Sequence, residues 1–426
     1  MKESRKYKQT ELGLLPEGWK VVKLGEIGYF LKGNGIPKSQ ADSGNLCAVR
    51  YGELYTLHRD YIKTYISHIS KKVALFATKI HKGDILFACS GETKEEIGKC
   101  AAFVDDIEAY AGGDILILRT DQEQCFDIFL GFLLNMPIIA NQKAAKGQGD
   151  AIVHISKASL ANITIPLPPM EEQRRIASAL TSIDNLIDSL DRLIAKKRDI
   201  KQGAMQQLLS GKKRLKGFTE PWVQKKLGDI ADTASGGTPS RSNIDYYKGH
   251  ICWFTTSELT DNYLYDSNEH ITNEALLCSS AKLFPAGILL IAMYGATIGK
   301  LGILCKEAAT NQACCAIKCH KIDTKFLFYL LLLNRPNIIE LGCGAGQPNI
   351  SQDIIRNLEF IVPSSLPEQQ AIAAVLTSMD NELSALEAKR KKYEQIKQGM
   401  MQQLLTGRIR LLKAEVKTDT TSEKLL

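Results

Sequence analysis

The sequence predicts an α+β protein with an internal repeat: two similar mixed α/β domains separated by two long helices that form an antiparallel coiled coil. Residues 172–211 recur at 368–407 with 21 of 40 aligned positions identical. Both copies place apolar residues three and four positions apart, which is the spacing of a coiled coil. A stretch of short strands and helices precedes each copy. The repeat therefore predicts the order domain, helix, domain, helix, with pseudo-two-fold symmetry.

The repeat and the changes in composition divide the chain into five segments. The last of them is polar, which is typical of a disordered tail. The predicted segments are domain 1 (1–168), long helix 1 (169–211), domain 2 (212–366), long helix 2 (367–410) and the tail (411–426).

Each long segment predicts a continuous amphipathic helix. Pro169 and Pro367 suit its beginning, and Gly211 and Gly407 suit its end. About 40 residues of helix span about 60 Å. The apolar stripe is too narrow for either helix to stand alone, so each needs a partner; the other helix is the nearest candidate, and packing on its own domain is the alternative. The predicted seam consists of Ile176, Leu180, Ile183, Ile187, Leu190, Ile372, Leu376, Met379, Leu383 and Leu386.

The repeat also extends into the two domains. Corresponding stretches include a Trp-containing beginning, a glycine–polar loop and an apolar strand that ends in a glycine turn. The matching pairs are LPEGWKVVKLGEI (15–27) with FTEPWVQKKLGDI (218–230), GNGIPKS (33–39) with GGTPSRS (236–242), GDILFACSGET (83–93) with GILLIAMYGAT (287–297), and KGQGDAIVHIS (146–156) with GAGQPNIS (344–351).

Composition places few limits on function. The chain is 44% apolar and 24% charged, and its formal charge of +7 permits nucleic-acid binding without demonstrating it. Eleven cysteines without CxxC pairs suit reduced thiols in a cytoplasm. No apolar run reaches 18 residues, so we predict a cytoplasmic protein that does not span a membrane.

Motifs for catalysis or metal binding do not match this sequence. GATIGK (295–300) is too short for a phosphate-binding loop, and GCGAG (342–346) does not follow a strand. The chain has no Asn/Asp-Pro-Pro-aromatic element of an adenine methyltransferase. A group of cysteines near residue 315 matches no zinc spacing, so no metal site is predicted; its members are Cys305, Cys314, Cys315, Cys319 and His320.

Several of these stretches together resemble the specificity subunit of type I restriction–modification systems. They are LPEGWxxxKLGEI, the GGTPSR loop, GAGQPNIS, the (I/V)P…PxxEQ approach to a long helix, and KQGxMQQLLTG. The resemblance covers nearly the whole chain and both copies. It implies two target recognition domains, each reading one half of a bipartite asymmetric DNA sequence, with the coiled coil fixing the spacer between the half-sites.

The resemblance also implies partners. The subunit itself is non-catalytic, and it docks two DNA methyltransferase subunits and restriction/translocase subunits on double-stranded DNA. The assembled complex has adenine-specific methyltransferase and ATP-dependent endonuclease activity. S-adenosylmethionine, ATP and Mg²⁺ bind the partner subunits, and no cofactor binds this one. The alternative reading is a coiled-coil structural or interaction protein that does not bind DNA.

Candidate DNA contacts lie in the loops that the repeat brings into correspondence. Lys, Arg, Ser and Thr suit phosphates, whereas base edges need donors and acceptors of either kind. Turn chemistry alone is the alternative for such loops. In domain 1 the candidates are Lys38, Ser39, Arg50, Tyr51, Ser90, Thr93, Lys99, Gln148 and His154; in domain 2 they are Ser240, Arg241, Thr255, Thr256, Ser257, Tyr294, Thr297, Lys300, Gln347, Asn349 and Ser351.

Overall fold

The structure is a computed structural model that describes residues 6–149, 151–342 and 349–412. The chain forms two compact units. Unit 1 contains the described residues up to Ser189 together with those from Arg390 onwards, and unit 2 contains Leu190–Lys389. Each unit therefore holds one domain and a part of each long helix.

Domain 1 is built mainly of short strands. Its helices are α1 (Tyr51–Thr56), α2 (Lys71–Ala74), α3 (Asp127–Leu134), α4 (Pro137–Lys146) and α5 (Lys157–Ala161). Its strands are β1 (Tyr7–Thr10), β2 (Gly13–Pro16), β3 (Lys20–Lys23), β4 (Gly28–Lys32), β5 (Leu46–Val49), β6 (Ser67–Ile69), β7 (Thr78–Ile80), β8 (Asp84–Ala88), β9 (Ser90–Gly91), β10 (Cys100–Ala102), β11 (Ala109–Ala111), β12 (Ile115–Thr120), β13 (Val153–His154) and β14 (Thr164–Leu167).

Two four-stranded sheets organise domain 1. One has the order β10-β8-β12-β4 and is antiparallel throughout. The other has the order β6-β5-β11-β7, in which β5 and β11 run parallel. Every residue of β8 is buried, because both faces of this central strand are covered by apolar clusters. The pairs β1–β2, β3–β14 and β9–β13 complete the domain.

Domain 2 uses the same elements in a similar order. Before the long helix α6 of Met170–Leu208 ends, domain 1 is complete, and domain 2 follows it with the helices α7 (Leu227–Ile230), α8 (Asn273–Leu277), α9 (Thr324–Gly342) and α10 (Gln352–Arg356). Its strands are β15 (Trp222–Lys226), β16 (Ala231–Ser235), β17 (Ile251–Phe254), β18 (Asn262–Leu264), β19 (Glu269–Ile271), β20 (Leu283–Phe284), β21 (Leu289–Ala292), β22 (Leu301–Leu304), β23 (Ala308–Thr310), β24 (Cys314–Cys319) and β25 (Glu359–Pro363).

The sheets of the two domains correspond strand by strand. The order β22-β21-β24-β16, extended by β18, repeats β10-β8-β12-β4. The order β19-β17-β23-β20 repeats β6-β5-β11-β7, and again the second and third strands run parallel. The internal repeat seen in the sequence is therefore a repeat of topology.

The two long helices end at corresponding positions. α6 covers Met170–Leu208, and the second long helix, α11, covers Leu366–Leu404. Gly211 and Gly407 follow with φ of 70° and 71°, and their amides donate to the carbonyls of Leu208 and Leu404. A residue without Cβ adopts this left-handed conformation most readily, which explains a glycine after each helix end.

Within each unit the two helix segments run antiparallel. In unit 1, Lys397 Nζ lies 2.8 Å from Asp184 Oδ1, and Arg410, beyond the end of α11, pairs with Glu172 in the first turn of α6. In unit 2, Lys197 Nζ lies 2.6 Å from Glu382 Oε1, and Lys201 pairs with Asp380. As one residue number rises, the partner's number falls.

The predicted seam residues are mostly buried, and several of them join a domain core. Ile176 and Leu180 are fully buried in the core of unit 1, and Ile372 and Leu376 are fully buried in that of unit 2. Ile183, Ile187, Leu190 and Leu383 are also buried, whereas Met379 and Leu386 are partly exposed. The first turns of each long helix thus pack on the preceding domain as well as on the other helix.

A matched set of three side chains holds each domain against the start of its long helix. Trp19 Nε1 donates to Glu172 Oε2 at 3.0 Å, and Arg410 donates to both oxygens of Glu172. In unit 2, Trp222 and Arg214 make the same bonds to Glu368. Both glutamates are buried, so these charge-assisted bonds satisfy groups that would otherwise be costly to bury.

Among the described residues, no helix is both long and apolar enough to cross a membrane. The cysteine group near residue 315 does not converge, because Cys314 and Cys315 are successive residues of β24 and point to opposite faces of the sheet. Burial raises the pKa of both thiols to about 12, which suits inert core cysteines.

Candidate nucleic-acid interface

Four segments of domain 1 meet at the ends of strands β4, β5, β8 and β11, and β13 lies beside them. We call this surface rim 1 and define it as residues 33–36, 49–51, 89–91, 112–114 and 153–155. Three backbone hydrogen bonds of 2.9 Å join its segments, from the amide of Cys89 to Asp114, from Gly113 to Gly35, and from Gly112 to Val49.

Domain 2 has an equivalent surface, rim 2, which comprises residues 236–238, 254–257, 293–295, 310–313 and 349–350. The backbone bonds correspond one for one with those of rim 1. The amide of Gly237 donates to Thr310, that of Asn311 to Phe254, and that of Met293 to Ala313, at distances of 2.9, 3.0 and 2.9 Å. The last segment is attached in the same way in both domains, by Ile155 to Cys89 at 3.0 Å and by Ile350 to Met293 at 2.9 Å.

Glycines allow the rim segments to approach so closely. A Cβ on Gly33 would lie 2.0 Å from the carbonyl oxygen of Gly112, and one on Gly236 would lie 2.1 Å from that of Thr310. Ile36 of rim 1 has a φ of 57°, which is unfavourable for a β-branched residue and is held by its burial. Such strain is frequently found at functional sites.

Rim 1 brings together four of the predicted contacts. Ser90 Oγ lies 2.9 Å from His154 Nδ1, and the backbones of His154 and Gln148 exchange two hydrogen bonds. Lys99 Nζ donates to the carbonyl of Tyr55 at 3.1 Å, and the hydroxyl of Tyr55 donates to that of Ser90 at 3.0 Å. Burial raises the pKa of Tyr55 to about 12, which keeps this hydroxyl a neutral donor.

The other domain 1 candidates differ in position. Arg50 and Tyr51 belong to rim 1, where Arg50 precedes the first residue of α1 and Tyr51 is exposed. Lys38 and Ser39 are exposed in a short 3-10 turn beyond the backbone bonds that form the rim. Thr93 is exposed in the segment after β9.

Rim 2 carries a different set of side chains on the same backbone. Thr255 and Ser257 share a hydrogen bond of 2.8 Å between their hydroxyls, next to Thr256. Tyr294 is exposed and pairs through its backbone with Asn349. Thr297 donates to the carbonyl of Tyr294 at 3.2 Å.

Arg241 lies against the strands that support rim 2. Its guanidinium forms a two-pronged ion pair with Glu269 and lies 4.2 Å from the ring centre of Tyr247 and 5.1 Å from that of Trp253. The bonds from Glu269 raise the pKa of Arg241. Ser240 is exposed beside it and shares a hydrogen bond with Ser242.

Two domain 2 candidates have structural roles, and a third is not described. Ser351 caps α10, since its side chain accepts a hydrogen bond from the amide of Ile354. Lys300 forms an ion pair with Asp261, which also binds Arg335. Gln347 lies outside the described residues.

Sequence reasoning missed the residues that position the candidates. Tyr55, which joins Ser90 to Lys99, and Glu269 and Trp253, which hold Arg241, are defined by contacts between segments far apart in the chain. No local motif marks them. Only the correspondence of the two domains, strand by strand, points to the rims as their common location.

Comparison with known proteins gives one consistent result. The family model described as the type I restriction modification DNA specificity domain matches twice, at residues 16–196 and 219–398. The type I restriction enzyme MjaVIII specificity subunit of Methanocaldococcus jannaschii is 29% identical, over 93% of this chain and 94% of that protein. The EcoR124I/EcoR124II specificity subunit of Escherichia coli is 26% identical, over 54% of this chain and 61% of that protein.

Solved structures agree on the fold. A crystal structure of a type I restriction–modification S subunit from M. genitalium aligns with a TM-score of 0.61 at 15% identity, over 91% of this chain and 96% of that one. A chain from a structural account of complex assembly and conformational transition of the type I R-M system aligns with a TM-score of 0.57 at 21% identity, over 93% and 99%. Two family matches that together span most of the sequence show that this chain belongs to the specificity subunits of type I restriction–modification systems.

Proposed function

We propose that each domain reads one half of a bipartite, asymmetric DNA target through its rim. The observation that carries this proposal is that rims 1 and 2 share their backbone bonds and differ in their side chains. A shared backbone presents both rims to DNA in the same way. Different side chains at equivalent places then select different bases, so the two half-sites differ in sequence.

The side chains of the rims suit this task. Arg50 and Tyr51 follow β5, whereas Thr255, Thr256 and Ser257 follow β17 at the equivalent place. An arginine prefers guanine in the major groove, and hydroxyl groups donate to or accept from several base edges. The exposed Lys38 suits a phosphate, which fixes position and carries no sequence information itself.

The antiparallel helix segments in each unit support a role for α6 and α11 in fixing the spacer. Two domains held by stiff helices can read half-sites only at a set separation along the duplex. Ion pairs between the segments, such as Lys397–Asp184 and Lys201–Asp380, oppose sliding of one helix along the other.

The family relationship supports further parts of the proposal. This subunit is non-catalytic and docks DNA methyltransferase subunits, two of them, and restriction/translocase subunits. S-adenosylmethionine, ATP and Mg²⁺ bind those partners, and the complex acts on DNA in the cytoplasm.

The methylome of a host that expresses the gene tests the proposal. We expect methyladenine in a two-part motif with a fixed gap, present with the gene and absent from a deletion strain that retains the methyltransferase. Exchanging the rim 2 residues 254–257 for those of a relative should alter one half of the motif and leave the other half and the gap unchanged. A methylome with no gene-dependent bipartite motif would contradict the proposal.

A further inference from the structure

Strands β17 and β19 bring a cysteine and a histidine face to face in domain 2. Their register places Cys252 directly opposite His270, so the two side chains share one face of the sheet. Asp266, four residues before His270, reaches the same point. Cys252 Sγ lies 3.0 Å from Asp266 Oδ1 and 3.5 Å from His270 Nε2, and those two atoms are 3.0 Å apart.

These three atoms are metal ligands of three chemical kinds. A tetrahedral Zn²⁺ with bonds of about 2.0–2.3 Å separates its ligand atoms by about 3.3–3.6 Å, so movements of a few tenths of an ångström open the group around an ion. Cys252 is 1% exposed, while Asp266 is exposed and His270 partly exposed. The group is therefore open to solvent on one side, which gives an ion a path of entry.

We propose that Cys252, Asp266 and His270 form a Zn²⁺ site with an open fourth position. Zinc accepts sulfur, imidazole nitrogen and carboxylate oxygen together, whereas Mg²⁺ and Ca²⁺ prefer oxygen alone. A hydrogen-bonded cluster is a weaker account of the convergence, because a thiol is a poor donor. Among the described residues, only this group brings three such ligand atoms within 4.8 Å of one another.

Lys306 marks the same point as one that attracts positive charge. Its ammonium nitrogen lies 3.1 Å from Asp266 Oδ1, the atom that faces Cys252 and His270. The side chain is half exposed and can turn into solvent. Zn²⁺ and the Lys306 ammonium compete for one carboxylate, so removal of this charge strengthens zinc binding.

Domain 1 contains an internal control. Its strands β5 and β6 place Cys47 directly opposite His68, in the same register as Cys252 and His270. Four residues before His68 the chain has Thr64 in place of an aspartate. The cross-strand pair alone therefore recurs, and the carboxylate that completes three ligands belongs to domain 2. The site takes one zinc ion per chain.

The zinc content and the cobalt spectrum of the full-length chain test the site. The variants are Cys252→Ser, His270→Gln and Lys306→Gln, with Cys47→Ser as the matched control, each checked for folding by circular dichroism. After dialysis against buffered Zn²⁺, wild type and Cys47→Ser should each retain one zinc ion. Cys252→Ser and His270→Gln should bind at least about tenfold more weakly, and Lys306→Gln should bind more tightly than wild type.

Co²⁺ in place of zinc reports the sulfur ligand directly. We expect a thiolate-to-cobalt charge-transfer band in wild type and Cys47→Ser that is absent from Cys252→Ser. If Cys252→Ser does not fold, His270→Gln still reports the site through its zinc content and altered cobalt spectrum. The proposal is overturned if wild type holds no more zinc than these variants, or if Cys47→Ser loses as much zinc as Cys252→Ser.

Discussion

Lys397 of α11 forms a buried ion pair with Asp184 of α6, with 2.8 Å between Nζ and Oδ1. The same ammonium lies 3.0 Å from Asp60 Oδ2 and 5.0 Å from the ring centre of Phe132. All three charged side chains are nearly inaccessible to solvent. One lysine therefore joins both long helices to domain 1 within unit 1.

We expect Lys397→Met to destabilise unit 1 by about 3 kcal/mol, because two buried carboxylates lose the charge that balances them. Burial raises the pKa of Asp60 and Lys397 opposes that rise, so the variant should also raise the pKa of Asp60 further. Urea unfolding of the full chain measures the loss of stability. The exposed Lys392 provides the control, Lys392→Met, which removes the same charge from the same helix and should change stability by less than about 0.5 kcal/mol.

Asp261 gives domain 2 a predictable dependence on pH. Burial alone would raise its pKa, but hydrogen bonds from Arg335 and the amide of Leu301 hold the pKa below its ordinary value of 3.8. A lowered pKa in the folded state stabilises the fold fully above the unfolded pKa. That stabilisation is lost as pH falls below about 3.8 and through the folded pKa.

Asp261→Asn should therefore cost about 2 kcal/mol at neutral pH, and the difference from wild type should shrink as pH falls toward 3. Asparagine tolerates the φ of 59° at this position, so the substitution mainly removes charge. Denaturant unfolding across this pH range measures the effect, with the exposed Asp229→Asn as control. A difference that stays constant with pH would assign the cost to packing instead.

The architecture could be predicted from the sequence because it is written in periodic and repeated features. The heptad spacing and the second copy at 368–407 give the long helices, and Gly211 and Gly407 give their ends. These signals are local, or are strengthened by repetition. The α+β class and the two-domain order follow from them.

The rims could be predicted only in part, because their contacts join distant segments. Loops containing Ser90 and Tyr294 were identified as candidates from glycine turns, but the bond from Tyr55 to Ser90 depends on the folded sheet. Lys300 was predicted to touch DNA because it follows a candidate loop, yet its ammonium pairs with Asp261. The Cys252 and His270 pair likewise depends on strand register, which a search for zinc spacing does not detect.

Arg50 offers a test of rim 1 alone. Within the described residues its side chain makes no hydrogen bond or ion pair, so the guanidinium is available for DNA. In a complex with the methyltransferase, Arg50→Ala should weaken binding of the specific duplex by about 1–3 kcal/mol and relax one half-site only.

Binding over a range of salt concentrations separates two roles for this arginine. A phosphate contact would lower the salt slope by about one and weaken all duplexes equally, whereas a base contact affects one position of the motif. Arg59→Ala is the control, since Arg59 is exposed in the same domain outside rim 1. Loss of both half-sites in Arg50→Ala would argue against one domain reading one half-site.

Gly203 of α6 and Gly399 of α11 occupy matched positions with open space beside them. A Cβ on either glycine would meet no described atom of this chain within 4 Å. Each Gly→Ala substitution should therefore stabilise the isolated chain by about 0.5–1 kcal/mol, since alanine favours helix.

If a methyltransferase subunit packs closely at these glycines, as we expect, the same substitutions should weaken assembly. Thermal unfolding of the isolated chain and titration with the methyltransferase measure the two effects separately. The exposed Ala195, substituted by Ser, is a control for a small change elsewhere on α6. Stabilised variants that assemble normally would show that the glycines do not contact this partner.

The proposed role of the long helices predicts that their length sets the gap between half-sites. Seven residues inserted into each helix, after Ser189 and after Lys389 where the two units divide, add about 10 Å, since each residue rises about 1.5 Å. That length corresponds to about three base pairs at about 3.4 Å each. We expect methylation at a motif whose gap is longer by about three base pairs and whose half-sites are unchanged. An insertion of five residues provides the control, because it rotates the apolar stripe by about 140° and should abolish methylation of any bipartite motif. Altered half-site bases, or an unchanged gap, would mean that the helices do not set the spacing.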